Sequence, residues 1–402
     1  MRIFLASFET LSRMRPNVVL VILESFSSYR SSVSGNRLDT TPHLARLAKD
    51  GILFSRTFTA HSGTARGVFA TLTGIPDVSL VDTASRNPNA VEQHSIVNAF
   101  KGYDKYYFIG GSTTWANVRG VLSRSIDGIR IVEEGDFGAR GVDVWGISDK
   151  DLFFEANSRL RETRGPFFAV IQTAANHRPY TIPPNETGFR RMQVSDDELR
   201  RNGFENLPQL EGFRYMDYCV GQFIEAARRE AYFGNTVFAF IGDHGITGEA
   251  GQNVPNSWTL LRLTTGHTPF IIYAPGLIKP RRIDTPAMQV DVLPTLAGLA
   301  GVSYLNKTLG RDLLAQKRGE DRVAFTLYHN EGPLLGVLDG EYYVNVRADG
   351  SQGRMNALLD GDPAKDLQDR DPARFARLRE LALGIYESAQ YMLTHNRKEP
   401  HP

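Results

Sequence analysis

Asn17-Val-Val-Leu-Val-Ile-Leu23 is apolar from its second residue to its last. A strand with one face in water alternates polar and apolar side chains, and this run does not. It fits a parallel strand covered on both faces, and such a sheet needs helices on both sides. Lys105–Ile109, Phe167–Gln172, Val237–Ile241 and Phe270–Tyr273 are further strand candidates. Helical patterns lie between them over Thr41–Gly51, Val91–Phe100, Asp149–Arg161, Leu210–Arg229 and Val290–Leu299. The expected class is α/β, a three-layer α/β/α arrangement around a mostly parallel central sheet.

Past Gly301 the pattern changes. Val323–Leu327, Leu334–Leu338, Tyr342–Val346 and Asn356–Leu359 are short strand-like runs, with turn signals such as Asp339-Gly340 and Asp349-Gly350 among them. They predict a small antiparallel sheet, followed by a helix over Pro372–Met392 and a tail from His395 that frays. The chain is accordingly read as an α/β domain over 1–305 and a C-terminal subdomain over 306–402.

Composition excludes several classes. Lys and Arg number 46 against 45 Asp and Glu, and no long basic block stands out, so nucleic-acid binding is not expected. The single Cys219 precludes an intrachain disulfide or a cysteine-based zinc site. It is expected as a small buried residue on a helix. The apolar stretch in Met1–Glu9 is shorter than a signal-peptide core of about 7–15 residues. No run approaches the roughly 18 apolar residues of a transmembrane helix. The chain reads as soluble, or as the soluble part of a longer membrane protein.

Three places offer chemistry. Glu24 follows the first apolar run directly, and a buried ionised carboxylate needs a partner: a salt bridge, a helix end or a cation. Asn235–Gly245 is a second apolar run, broken by Gly242, that ends in Asp243 and His244. Ligands of open α/β sheets bind outside the carboxyl ends of the strands, and a carboxylate beside an imidazole suits a divalent cation. The plainer reading is a turn, with the aspartate capping and the histidine on the surface. In Ala60–Gly74, Gly63 and Thr64 precede an apolar helical stretch. Thr64 is either an N-cap or a nucleophile beside a phosphate held by the helix N-terminus. The second role needs an activating base or metal. His177 and His267 lie near predicted strand ends, placed to bind substrate oxygen or pass a proton, or to serve packing alone.

Together these stretches resemble the alkaline phosphatase/sulfatase superfamily, and most of all its lipoteichoic acid synthase-type branch of phosphoglycerol transferases. The resemblance rests on Val18–Phe26, Ser62–Gly74, Trp145-Gly-Ile-Ser-Asp149, Ala175-Asn-His-Arg-Pro-Tyr180 and Gly242-Asp-His-Gly245. Gly266–Tyr273, Gln289–Thr295 and Asp360-Gly-Asp-Pro363 extend it over nearly the whole chain. It implies a catalytic domain over 1–305 in which Glu24, Thr64, Asp243 and His244 hold one divalent metal. Mn²⁺ suits that oxygen-rich set best, with Mg²⁺ and Zn²⁺ as alternatives. It further implies a covalent phosphothreonine at Thr64 and substrate contacts from Trp115, Asn117, Arg119 and His177, with His267 a further substrate-binding candidate from its position alone. His177 would also serve as a proton donor. A phosphodiester or glycerophospholipid headgroup would be the substrate, a membrane surface a further partner, and the compartment periplasmic or otherwise extracytoplasmic.

The departures narrow the chemistry. Sulfatases carry their modified residue at the head of Cys-x-Pro-x-Arg, nine positions before a Thr-Gly pair. Thr64 holds that seat before Thr73-Gly74, but the next residues are Ala65-Arg66-Gly67-Val68. Formylglycine cannot form there, which argues against sulfate-ester hydrolysis. Glu24-Ser25 supplies one carboxylate where sulfatases pair two, so one metal is expected unless His267 or Asp291 builds a second site. The expected activity is phosphotransfer on phosphoglycerol- or phosphoethanolamine-type headgroups. A soluble phosphodiesterase or phosphonate-ester hydrolase is the alternative, and a catalytically inactive headgroup-binding domain is the non-enzymatic one.

Overall fold

Asn17–Leu23 forms strand β1, buried along its whole length. Its side chains point alternately to the two faces. Val19, Val21 and Leu23 join a cluster with Leu44, Phe153 and Phe223 from helices on one side. Val18, Leu20 and Ile22 join another with Val68, Leu72, Leu293 and Leu296 on the other. Both faces are covered, so every side chain after Asn17 is apolar. Each such side chain contributes about 1.5–3 kcal/mol. The computed structural model describes residues 15–398 apart from 249, 251–252, 316–321, 330–331 and 360–361. Met1–Glu9, the first two residues of Asp360-Gly-Asp-Pro363 and the end of the tail lie outside the described residues.

The central sheet continues with β2 (Ile52–Phe58), β3 (Asp104–Ile109), β4 (Ile129–Val132), β5 (Phe167–Gln172), β6 (Thr236–Gly242), β7 (His267–Tyr273), β8 (Arg281–Ile283) and β9 (Ala287–Met288). The order is β4-β3-β5-β1-β6-β7-β2-β8, with β9 against β2. Strands β4, β3, β5, β1 and β6 are mutually parallel. Strand β7 runs antiparallel to both β6 and β2. The helices are α1 (Pro42–Asp50), α2 (Thr64–Thr73), α3 (Val118–Ser125), α4 (Asp149–Glu162), α5 (Asp196–Arg201), α6 (Leu207–Ala227), α7 (Asn256–Leu260), α8 (Val292–Leu299) and α9 (Pro372–His395). Cys219 is buried in α6.

Two expectations need correction. Val91–Phe100 is not an α-helix; only Ile96–Ala99 forms a 3₁₀ turn. Its polar side chains bond to backbone elsewhere. Ser95 Oγ donates to Leu72 O (2.7 Å), and Gln93 Nε2 donates to Leu393 O (2.8 Å). Such bonds draw the backbone out of the helix. Thr64 is not the N-cap of α2; Gly63 takes that position at φ 134°, and Thr64 is the first helical residue.

A four-stranded antiparallel sheet follows: β10 (Ala324–His329), β11 (Pro333–Leu338), β12 (Tyr342–Arg347) and β13 (Arg354–Ala357). Helix α9 packs on it, since Leu378, Ala382 and Tyr386 share a cluster with Val337 and Val344. The same cluster holds Phe58 of β2 and Phe69 of α2, so this sheet shares its core with the large one. Leu327 N–H of β10 donates to Ala60 O at 2.6 Å, which ties the last sheet to the loop leading into Thr64.

Candidate active site

The register of the sheet assembles the centre of the site. β1 and β6 are parallel neighbours with Leu23 opposite Gly242, so the next residues, Glu24 and Asp243, emerge side by side. Asp243 N–H donates to Leu23 O at 3.1 Å. Ser25 adopts φ 51°, a left-handed conformation that costs a non-glycine residue about 1–2 kcal/mol. In return its N–H reaches Asp243 Oδ1 (2.7 Å) and its hydroxyl donates to Glu24 Oε1 (2.7 Å). Asn176 Nδ2 donates to the carbonyls of Glu24 and Ser25. Gln289 Nε2 donates to those of Gly242 and Asp243.

Helix α2 delivers the hydroxyl. Gly67 lies so close to Asp243 that a Cβ there would stand 2.8 Å from the Asp243 carbonyl carbon. This approach sets Thr64 Oγ1 at 3.2 Å from Glu24 Oε2 and 3.4 Å from His244 Nε2. Thr64 also stands at the positive end of a helix, where backbone N–H groups favour an anion such as phosphate.

The donor set fits a divalent cation. Glu24, Asp243 and His244 each offer a ligand atom, all within 4.8 Å of one another. Asp243 is fully buried, and its Oδ2 has no hydrogen-bond partner among the described residues. An orphaned buried carboxylate oxygen is costly unless something positive meets it. Burial, then the Asp243 charge, push the Glu24 carboxyl well above its usual range, and a cation would remove that penalty. His244 Nδ1 is 2.7 Å from Gly245 O. That contact places its proton on Nδ1 and leaves the Nε2 lone pair toward Thr64, the arrangement seen for ligating histidines. Glu24, Thr64, Asp243 and His244 are thus brought together.

The other residues divide. Glu24 and Thr64 form the floor of a cavity of about 150 Å³ whose walls include Trp115, Trp145 and His177. His177 packs on Trp145 with ring centroids 4.1 Å apart. Its Nδ1 lies 2.8 Å from Arg178 O, leaving Nε2 for other contacts. Asn117 and Arg119 do not line the cavity. Asn117 Nδ2 donates to Ser85 O at 2.7 Å, and Arg119 pairs with Glu133. Both brace the segment that carries Trp115.

His267 is also placed away from the cavity. It is buried at the start of β7 between Phe58 and Trp258, with Nε2 2.7 Å from Ser55 O. Burial lowers its pKa to about 4, so it is a neutral packing residue. Asp291 accepts from Met288 N–H and Arg311 N–H. Among the described residues these two therefore build no second metal site. Sequence reasoning gave no role to Trp145, Gln289 or Glu134. Trp145 and Gln289 fall in stretches that carry the family resemblance, whereas nothing marks Glu134, which also lines the cavity.

A strand-end metal-type cluster thus stands beside a hydroxyl at a helix N-terminus. The Sulfatase family profile matches residues 16–302, and the chain belongs to that family. It is 26% identical over 333 residues to the lipoteichoic acid synthase-like YvgJ of Bacillus subtilis, covering 78% of this chain and 51% of that protein. The chain thus spans about half the length of this curated relative. Among solved structures, a protein of the alkaline phosphatase superfamily from Vibrio parahaemolyticus aligns at TM-score 0.78 with 23% identity, over 98% of this chain and 97% of the other. The lipoteichoic acid synthase LtaP of Listeria monocytogenes aligns at TM-score 0.79 with 18% identity, over 96% and 94%. These structural likenesses carry the fold.

Proposed function

We propose that the chain is a metal-dependent phosphotransferase that acts on phosphodiester headgroups, of phosphoglycerol or phosphoethanolamine type, through a covalent phosphothreonine at Thr64. The observation that carries this reading is the Thr64 hydroxyl set between Glu24 Oε2 and His244 Nε2 at the N-terminus of α2. Kinship with lipoteichoic acid synthases supports a headgroup substrate met at a membrane surface outside the cytoplasm. Among the described residues no helix is long and apolar enough to cross a membrane.

Glu24, Thr64, Asp243 and His244 would hold one divalent ion, Mn²⁺ by the chemistry of the set. When bound, such an ion acidifies a ligating hydroxyl and offsets charge on phosphoryl oxygens. Thr64 Oγ forms a bond to phosphorus as the bond to the diester's non-headgroup alcohol oxygen breaks; its proton passes to Glu24 Oε2, to which the hydroxyl donates, and returns when Thr64 is released. His177 Nε2 passes a proton to that leaving oxygen and takes one from the incoming alcohol or water. Attack by the second hydroxyl then releases Thr64. Positioning and charge supply most of the rate in phosphoryl transfer. The α2 N–H groups and the rigid strand ends provide both.

Thr64→Ala tests the assignment. With Mn²⁺ and an aryl phosphodiester, turnover should fall at least 10³-fold, and the phosphorylated Thr64 peptide of rapidly quenched wild-type digests should be missing from those of the variant. Full activity in the variant refutes the nucleophile. Products formed with glycerol present separate transfer from hydrolysis.

A further inference from the structure

The outer half of the cavity is built unlike its floor. Trp115 and Trp145 meet edge to face, with ring centroids 6.3 Å apart and planes at 86°. Trp145 is fixed by its Nε1–H, which donates to Arg178 O at 2.8 Å. Val144 beside it is 83% exposed. The remaining charged group of this half is Glu134. Its neighbour Glu133 is consumed by structure, accepting from Thr113 N–H and Oγ1 and pairing with Arg119. Glu134 is held only through its backbone, whose N–H donates to Gly111 O at 3.0 Å. Its exposed carboxylate makes no hydrogen bond or ion pair to another described residue. Among the described residues, no arginine or lysine lines the cavity.

A phosphate monoester dianion would meet carboxylates there and no basic side chain. A zwitterionic diester would not, since its positive end can lie over the indole faces and beside Glu134. Aromatic walls with a carboxylate are the chemistry that recognises alkylammonium groups. A volume of about 150 Å³ takes a group the size of a small ring rather than acyl chains. We propose that Trp115, Trp145 and Glu134 form a receptor for the ammonium end of an ethanolamine- or choline-type phosphodiester headgroup. The proposal rests on the phosphodiester reading above and selects among its headgroups.

Two measurements on the full chain separate the two claims. The first is tryptophan fluorescence titrated with choline chloride, and with glycerol as the neutral probe. Saturable quenching by choline alone, weakened at least fivefold in Glu134→Gln, is expected. No response to choline overturns the proposal. The second is kcat/KM with Mn²⁺ for p-nitrophenyl phosphodiesters of choline, ethanolamine and glycerol. A preference of tenfold or more for the ammonium esters is expected, with the ratio falling toward unity in Glu134→Gln and in Trp115→Leu. Equal or greater activity on the glycerol ester overturns the receptor and leaves Thr64 chemistry standing. Choline binding without turnover of any ester supports the receptor and overturns the reaction. Faster turnover of phosphatidylethanolamine vesicles than of glycerophosphoethanolamine assigns a lipid source, and the reverse order a soluble diester; either order supports the receptor.

Discussion

Replacing Gly67 by alanine tests whether the contact between helix and strand sets the reactive geometry. A methyl group at position 67 would sit 2.8 Å from the Asp243 carbonyl carbon, against an ordinary carbon–carbon separation of about 3.5–4.0 Å. Helix α2 and the end of β6 must therefore part by about 1 Å. Overpacking of this kind costs about 1–3 kcal/mol, which would lower the melting temperature by a few degrees in a chain of this size. The effect on catalysis should be larger. Thr64 rides on α2 at 3.2 Å from Glu24 and 3.4 Å from His244, and a displacement of about 1 Å costs a reaction on the order of 100-fold. Gly67→Ala should keep its fold by circular dichroism, bind Mn²⁺ at least tenfold more weakly by calorimetry, and lose about 100-fold in kcat/KM on an aryl phosphodiester. Wild-type values for both metal affinity and turnover would refute the reasoning, because the site would then tolerate separation of its two halves.

Other consequences follow from burial and backbone. His267 has a folded pKa of about 4 against 6.5 ordinarily. The unfolded chain therefore binds the extra proton, and stability present above pH 6.5 drains away as the pH falls toward 4. Between pH 7.5 and 5 this group alone should cost about 2 kcal/mol, read as a shift in urea midpoint that His267→Gln reduces; an unchanged pH dependence in the variant contradicts the buried neutral imidazole. Gly384 lies inside α9 with open space where a Cβ would stand. Gly384→Ala should therefore stabilise the protein by about 0.5–1 kcal/mol with no change in turnover, and a lower melting temperature would count against the placement of α9.

The central sheet could be foreseen because its signal is local. An unbroken run such as Val18–Leu23 leaves one solution, a strand covered on both faces, and the carboxylates that follow β1 and β6 mark their own positions. Glu24, Thr64, Asp243 and His244 were legible for the same reason, each standing at the end or start of an element. Other features depended on partners distant in sequence. Strand β7 reads like its parallel neighbours, and only its pairing with β6 and β2 reveals the opposite direction. His267 near a strand end looked available for substrate until Phe58 and Trp258 were seen to enclose it. Asn117 and Arg119 sit beside Trp115 in the chain, yet their side chains are taken by Ser85 and Glu133. Glu133 and Glu134 are chemically identical neighbours, and only folding assigns one to structure and leaves the other at the cavity.

The bond from Leu327 N–H to Ala60 O also has a meaning in time. The loop before Thr64 is completed by a strand that the ribosome delivers more than 250 residues later. Such sequence-distant pairing is slow to form, because a long loop must close first. The parallel strands and the metal-type ligands can assemble while the end of the chain is still being made. The loop before Thr64 gains this support last, so the surroundings of that hydroxyl are completed with the antiparallel sheet rather than with the strand-end carboxylates.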